Sequence, residues 1–249
     1  MTRTVTFTNS GDLDMTYDLG NVGGVVTGPT SSDPVGEFAP GLFVASAGAT
    51  FSTPALTVPA NGSASVDVTI TQPTTANFFI YGGYIVATPR AGGMTLRVPY
   101  MGVTGSYQAY PTFLAGSPRM TRTPSGPALG DGAVFTLADA NNQPVFVFGL
   151  AHATRTLKAE VFAAPATPGG APGKAFHVAA QFERLARNST PTGTFFFRFD
   201  GVTANGSKTS VVPNGSYVVV ISALKPLADP SLPSSTVVWQ SPTFVIARP

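Results

Sequence analysis

The sequence predicts an all-β protein of two tandem antiparallel β-sandwich domains. Three observations carry this. Only 10% of the 249 residues are charged, and 27 Gly and 23 Pro punctuate a chain rich in Thr, Ser and Val; that is the composition of strands joined by turns. No stretch of about ten residues keeps a helical period. Residues 79–105 spell out a hairpin. Met94, Leu96, Val98 and Tyr100 fall on one face, Thr95, Arg97 and Pro99 on the other, so a period of two makes one side apolar. Tyr84, Val86 and Thr88 alternate with Ile85 and Ala87 before a connection at residues 89–93, a length suited to antiparallel strands. Pro99 has no N–H for a ladder and marks a strand stop.

The upstream elements read as strands that pack against this hairpin. Residues 4–9 alternate Val5 and Phe7 with threonines, and Asn9-Ser10-Gly11-Asp12 is a turn. Residues 13–19 form a second strand with Leu13, Met15, Tyr17 and Leu19 on one face. Residues 20–41, with Asp33, Glu37 and Phe38, read as a Gly-, Pro- and Ser-rich loop; a loop of that length is often functional. Residues 43–45 and 51–58 are short strands, Pro59-Ala60-Asn61-Gly62 is a turn, and residues 65–71 set Val66, Val68 and Ile70 against Asp67 and Thr69. Tyr107, Tyr110, Phe113 and Leu114 have the first domain to pack on. The Pro- and Gly-rich run that follows divides the chain into domains 1–116 and 117–249.

In the second domain, residues 134–137 and 145–150 are strands around the turn Asp139-Ala140-Asn141-Asn142. Residues 156–163 alternate Leu157, Ala159, Val161 and Ala163 with Lys158, Glu160 and Phe162. Residues 165–173 form a flexible loop, 176–182 a strand and 183–187 one helical turn. An aromatic strand, Asp200-Gly201, a polar stretch, Val212-Pro213 and an apolar strand follow, and residues 239–246 close the domain.

Two stretches resemble a known family. Gly83, Tyr84, Ile85, Leu96, Val98, Pro99, Tyr100, Met101 and Gly102, with the opening TVTFTNSGDLDMTYDL, resemble the fibronectin-III-like module behind the catalytic domain of secreted subtilisin-like serine proteases of the lactocepin type. Phe197, Phe199, Asp200, Gly201, Val212, Pro213, Gly215 and Tyr217 resemble the late strands of the immunoglobulin-like modules that follow it. The resemblance covers the accessory part of the family only. The Asp, His and Ser motifs of a subtilase do not occur here, so no catalytic residue is carried over.

The residues support no chemistry of their own. His152 and His177 are the two histidines, and neither sits in a pattern that offers an acid and a nucleophile; they read as a loop contact and a strand residue. Asp12, Asp14 and Asp18 read as solvating a sheet edge. No cofactor is expected. Calcium is the ion with candidate loops, at Asp131 between Gly130 and Gly132 and at Asp139 with Asn141 and Asn142, and it would need further oxygens. Asn61, Asn188, Asn205 and Asn214 each begin an N-glycosylation pattern, and Asn-Gly-Ser is equally good turn chemistry. Phe195, Phe197 and Phe199 share a core face. Phe196 and Trp239 are the aromatics for which exposure would mean a sugar-binding platform.

A net charge of +2 with no Lys/Arg cluster argues against a nucleic-acid partner. The absence of cysteine excludes disulfides, thiol catalysis and Cys-ligated zinc. No apolar run approaches the roughly 20 residues of a membrane span, and the N-terminus has no apolar leader core. The expectation is therefore a non-enzymatic accessory region, excised from a secreted or cell-surface protein. The resemblance implies a subtilisin-like catalytic domain in the same parent chain as partner, protein substrates beyond it, and a role in shaping access to that domain, with residues 20–41 as contact surface. Two alternatives stand beside it: a free-standing adhesion or carbohydrate-binding protein, and a subunit that assembles by strand addition.

Overall fold

The computed structural model describes residues 2–33, 40–43, 45–167, 170–187 and 193–249. The chain is all-β and divides into two units, Met1–Ala109 and Tyr110–Pro249.

In the first unit, β1 (Thr2–Asn9), β4 (Gly48–Phe51) and β6 (Gly62–Thr71) form one sheet in the order β1-β6-β4. The second sheet holds β2 (Met15–Gly28), β3 (Gly41–Phe43), β5 (Ala55–Val58), β7 (Ile80–Pro89) and β8 (Leu96–Val103), in the order β3-β2-β7-β8 with β5 also on β2. All pairings here are antiparallel. Phe7, Leu56, Val58, Val66, Val68, Ile85 and Ala87 are buried between the sheets. Each comes from the inward half of an alternating strand, and burial of that half is what fixes the register.

The predicted hairpin forms, with Ala87 opposite Leu96 and Ile85 opposite Val98. Leu96, Val98 and Tyr100 fall on one face and Arg97 and Pro99 on the other, as the alternation predicts, but the apolar face is incompletely covered. Leu96 and Val98 share the inner face with the buried Ile85 and Ala87, yet stay partly exposed because β8 is the sheet edge. Met94 lies in the connection, exposed.

Three other expectations are corrected. Residues 20–28 are strand, not loop: β2 continues along β7 to Gly28 with an irregularity between Gly23 and Val26. Glu37 and Phe38 lie outside the described residues. The single strand read at 51–58 is two strands. The chain leaves one sheet after Phe51 and enters the other at Ala55, across Pro54, which cannot donate to a ladder. Leu13 is exposed and precedes β2.

In the second unit, β9 (Arg119–Thr121), β11 (Val145–Phe148) and β14 (Phe195–Arg198) form a sheet in the order β14-β11-β9. The larger sheet contains β10 (Ala133–Phe135), β12 (Thr156–Ala163), β13 (Ala175–Glu183), β15 (Val202–Asn205), β16 (Lys208–Val211), β17 (Gly215–Leu224), β18 (Thr236–Gln240) and β19 (Phe244–Ile246). Its order is β10-β19-β17-β12-β13-β15-β16, with β18 also on β17. Leu157, Ala159 and Val161 of β12 face the core, as their alternation predicts. Phe135, Phe146, Phe148, Phe199 and Phe244 are fully buried.

This unit is not wholly antiparallel. β10 and β19 pair in parallel, which needs no hairpin because they are remote in sequence. The last strand read at 239–246 is broken by Ser241-Pro242 into β18 and β19. The helical turn expected at 183–187 is absent: β13 runs to Glu183, and Arg184 takes a positive φ. The two compact units divide before Tyr110, against the boundary expected at 116: Tyr107 lies in the first unit as expected, whereas Tyr110, Phe113 and Leu114 lie in the second. Phe113 bridges to Leu150 and packs on the second core, and the Tyr110 ring lies 5.1 Å from that of His152.

Candidate interaction surface

The two sheets of the first unit present opposite chemistry to solvent. On the outer face of the β1–β6 pair, Thr4 donates to the Asp67 carboxylate, and Thr2, Thr6 and Thr8 share hydroxyl hydrogen bonds with Thr69, Ser65 and Ser63 at 2.8–3.0 Å. The threonines that mark β1 as a strand thus form a ladder of cross-strand polar pairs.

The five-stranded sheet is the reverse. Its outer rows, read from the register, set Leu42 beside Thr27 and Ile80, Gly82 beside Met101, and Val22 beside Tyr84 and Pro99. Met101 is 81% exposed, Leu42 76%, Val22 53% and Tyr84 45%. Val25, at the irregularity of β2, is exposed too, and with Leu42, Phe43 and Ser46 it lines a hollow of about 270 Å³. The charged groups of the sheet stand towards one end, with Arg97 opposite Val86 and Asp18 opposite Thr88. There Arg90 Nε and Nη2 both donate to Asp18 Oδ1, at 2.9 and 2.7 Å, and hold that carboxyl below its usual pKa. Both side chains are solvated, so the pair contributes little to stability.

Glycine and tyrosine alternate beneath this face. Tyr100 stands opposite Gly83 and Tyr81 opposite Gly102. The Tyr100 hydroxyl crosses Gly83 to donate to Asn21 Oδ1 at 2.8 Å, and burial pushes its phenol pKa up. The motif that carried the family resemblance is therefore a packing device, in which each ring covers a glycine of the neighbouring strand.

The other singled-out residues do not converge. His152 lies in the loop after β11 with Nδ1 3.3 Å from the Ala153 carbonyl, and His177 sits at a positive φ in the irregular stretch of β13. Asp12 is exposed, Asp14 accepts from the Ala60 backbone N–H, and Asp18 holds Arg90. Asp139 caps the short 3₁₀ turn Ala140–Asn142, accepting from two backbone N–H groups and the Asn142 amide. Asp131 accepts from the Thr243 N–H. Among the described residues no group of three or more His, Asp or Glu is placed to hold a metal ion, and no helix is long and apolar enough to cross a membrane. Asn61 is exposed in a positive-φ turn, Asn205 is exposed at the end of β15, and Asn188 lies outside the described residues. The Asn214 amide is committed to the chain, bonded in both directions to the Arg248 backbone. Phe196 is 48% exposed under the Arg198 guanidinium, whereas Trp239 is partly buried against the core.

Burial sets the His152 imidazole below its ordinary pKa of 6.5, with the Arg187 charge acting the same way and the Ala153 carbonyl opposing. A depressed folded-state pKa means the fold resists protonation. Stability is complete above the unfolded value of about 6.5 and falls as pH drops through it. Urea midpoints of the second unit are expected to fall between about pH 7.5 and 5.5, with a smaller drop in His152→Gln. An equal drop in both proteins would refute the assignment.

Sequence reasoning missed the apolar outer face. Its signal was present: β7 and β8 carry apolar residues at both parities, a strand covered on two sides.

Residues 1–101 match the Fn3-like domain family. No curated protein matches the chain. Among solved structures the chain is similar to the Pseudomonas aeruginosa CupB2 chaperone, at 9% identity over 96% of this chain and 91% of that one, with a TM-score of 0.26. It is also similar to the E. coli chaperone DraB, at 9% identity over 100% and 89%, again with a TM-score of 0.26. At such scores the likeness carries no inference about function.

Proposed function

We propose that the chain is the non-catalytic accessory region of a secreted subtilisin-like serine protease, and that its first unit docks on the catalytic domain through the outer face of the five-stranded sheet. The observation that carries this is the contrast between that face and the hydroxyl ladder opposite it. Val22, Leu42, Ile80, Tyr84 and Met101 are exposed together, and such contiguous apolar surface on a folded protein generally marks an interaction site.

The size of the face favours a domain of the same polypeptide over a second copy. Four strands about 4.8 Å apart, over about seven residues, present on the order of 400 Å². A stable complex of free proteins takes roughly 800 Å² from each partner, whereas contacts between domains of one chain begin at about 300 Å² on each side. The hairpin's resemblance to the protease module supports a catalytic domain as the occupant; the Fn3-like match to residues 1–101 supports the module type alone. The contact surface assigned to residues 20–41 narrows to Val22 and Val25 within it.

Mixed with a lactocepin-type catalytic domain, the chain is expected to co-elute and to raise casein cleavage, while staying monomeric alone. Met101→Asp is expected to weaken the association by at least tenfold, since it buries a charge in an apolar contact. Labelling of the isolated chain by an active-site serine reagent would end the proposal. So would the absence of association at about 100 µM, or concentration-dependent self-assembly that Met101→Asp abolishes.

A further inference from the structure

The second unit has a cleft of about 770 Å³, within the range of about 300–1,000 Å³ of small-molecule sites. It lies where β9 and the loop 128–131 that follows it meet the β18–β19 crossover, which is remote from both in sequence. Pro118, Leu129 and Trp239 give its lining an apolar part, with the buried Met120 of the core beside them. One side of Trp239 packs on the core while the other opens to the cleft. Its indole N–H has no partner among the described residues, and the Arg119 guanidinium on the cleft has none either. Gln240 makes a single long contact, Nε2 to the Gly170 carbonyl at 3.4 Å. Asp131 uses one carboxylate oxygen, to accept from the Thr243 N–H at 2.7 Å, and presents the other.

We propose that this cleft binds an uncharged oligosaccharide, with a pyranose ring against Trp239 and its hydroxyls bonded by Arg119, Asp131 and Gln240. Trp239 supplies an aromatic face with a donor at its rim, suited to a ring that is apolar on its C–H face and polar at its edge. Unused donors stand on Arg119 and Trp239 and unused acceptors on Asp131 and Gln240, and hydroxyls satisfy both kinds at once. One cation and one anion line the cleft, which selects against a net-charged ligand.

A peptide is the poorer fit, because it would need a row of free main-chain groups. Several of those around the cleft are taken. The Met120 carbonyl accepts from Leu129, Thr243 donates to Asp131 and accepts from Gly132, and the Ser241 N–H donates to the Val219 carbonyl. This inference concerns a different unit from the docking face and stands or falls separately from it.

Trp239 is the chain's only tryptophan, so intrinsic fluorescence of the full chain reads this cleft directly. Cellopentaose, maltopentaose, mannopentaose and chitopentaose are the probes. At least one is expected to shift the emission saturably and to shield Trp239 from acrylamide, with a dissociation constant in the micromolar to millimolar range. Arg119→Ala and Asp131→Asn are expected to weaken that binding roughly tenfold each, the worth of a hydrogen bond to a charged group. Their far-UV spectra and urea midpoints should stay unchanged. Val238→Ser, an exposed position on the opposite face of β18, should bind as the parent does. No response to any of the four at about 10 mM, a response only to oligogalacturonate, or saturation by an extended Val/Thr peptide instead would each overturn the proposal.

Discussion

Phe244→Ala is expected to destabilise the second unit by about 3–5 kcal/mol, the range for removing a buried phenylalanine ring. Phe244 is fully buried on a three-residue strand. Its ring lies 5.9 Å from that of Phe146, 6.1 Å from Phe135, 6.2 Å from Tyr217 and 6.4 Å from Phe199. These four rings come from separate segments of the chain, so no single rearrangement refills the space. β19 also bonds β10 on one side and β17 on the other, and loss of its anchor loosens both ladders. Urea unfolding followed through Trp239 reads this unit. With a slope of about 2 kcal/mol per molar, the midpoint should fall by roughly 2 M. Val245→Ala, on the same strand with its side chain turned the other way, should cost less than about 1 kcal/mol. If the two substitutions cost the same, the ring cluster is not what holds the unit together.

Gly83→Ala is expected to cost the first unit about 1–3 kcal/mol, as overpacking does. A Cβ at position 83 would stand 2.5 Å from the Tyr100 hydroxyl and 2.7 Å from the Val22 carbonyl oxygen. The tyrosine could swing aside, at the loss of its hydrogen bond to Asn21. The carbonyl cannot, because it belongs to the β2 backbone that pairs with β7. Tyr100→Phe removes only the hydrogen bond and should cost about 1 kcal/mol. In the double variant Gly83→Ala/Tyr100→Ala the combined loss should fall short of the sum, since the ring clash is gone and the carbonyl clash remains. Calorimetry of the full chain measures these three and Tyr100→Ala alone, which closes the cycle. Strict additivity, or a Gly83→Ala cost within about 0.5 kcal/mol, would show that the close approach is not constraining.

The parts of the fold legible in the sequence are the strands with one wet and one dry side. β1, β6 and β12 alternate cleanly, and their buried residues are the ones the alternation selects. The second half of β2 was illegible because Gly20, Gly23 and Gly24 give it no propensity of its own; its strand character comes from the ladder with β7. Pro54 and Pro242 break the stretches read as single strands at 51–58 and 239–246, and no local pattern tells that the chain changes sheets at one and turns from β18 to β19 at the other. Of the candidate surfaces, Tyr84 and Met101 were quoted as marks of a resemblance, and the face they build with Val22 and Leu42 follows only from the register. Trp239 was singled out for exposure, whereas Arg119 and Gln240 were not, since neither carries a local signal.

The amino-acid sequence by itself determined the class of the protein: alternation at period two, turns rich in Gly and Pro, few charges and no cysteine leave β-sandwiches as the way to bury these side chains. Tertiary structure alone decided which edges and faces stay uncovered, the parallel seam of β10 with β19, and the meeting of Asp131 with Thr243 across 112 positions. The physical reason is range. Side-chain period and turn chemistry act between neighbours in the chain, whereas pairing partners, sheet edges and clefts arise from contacts whose sequence separation no local pattern encodes.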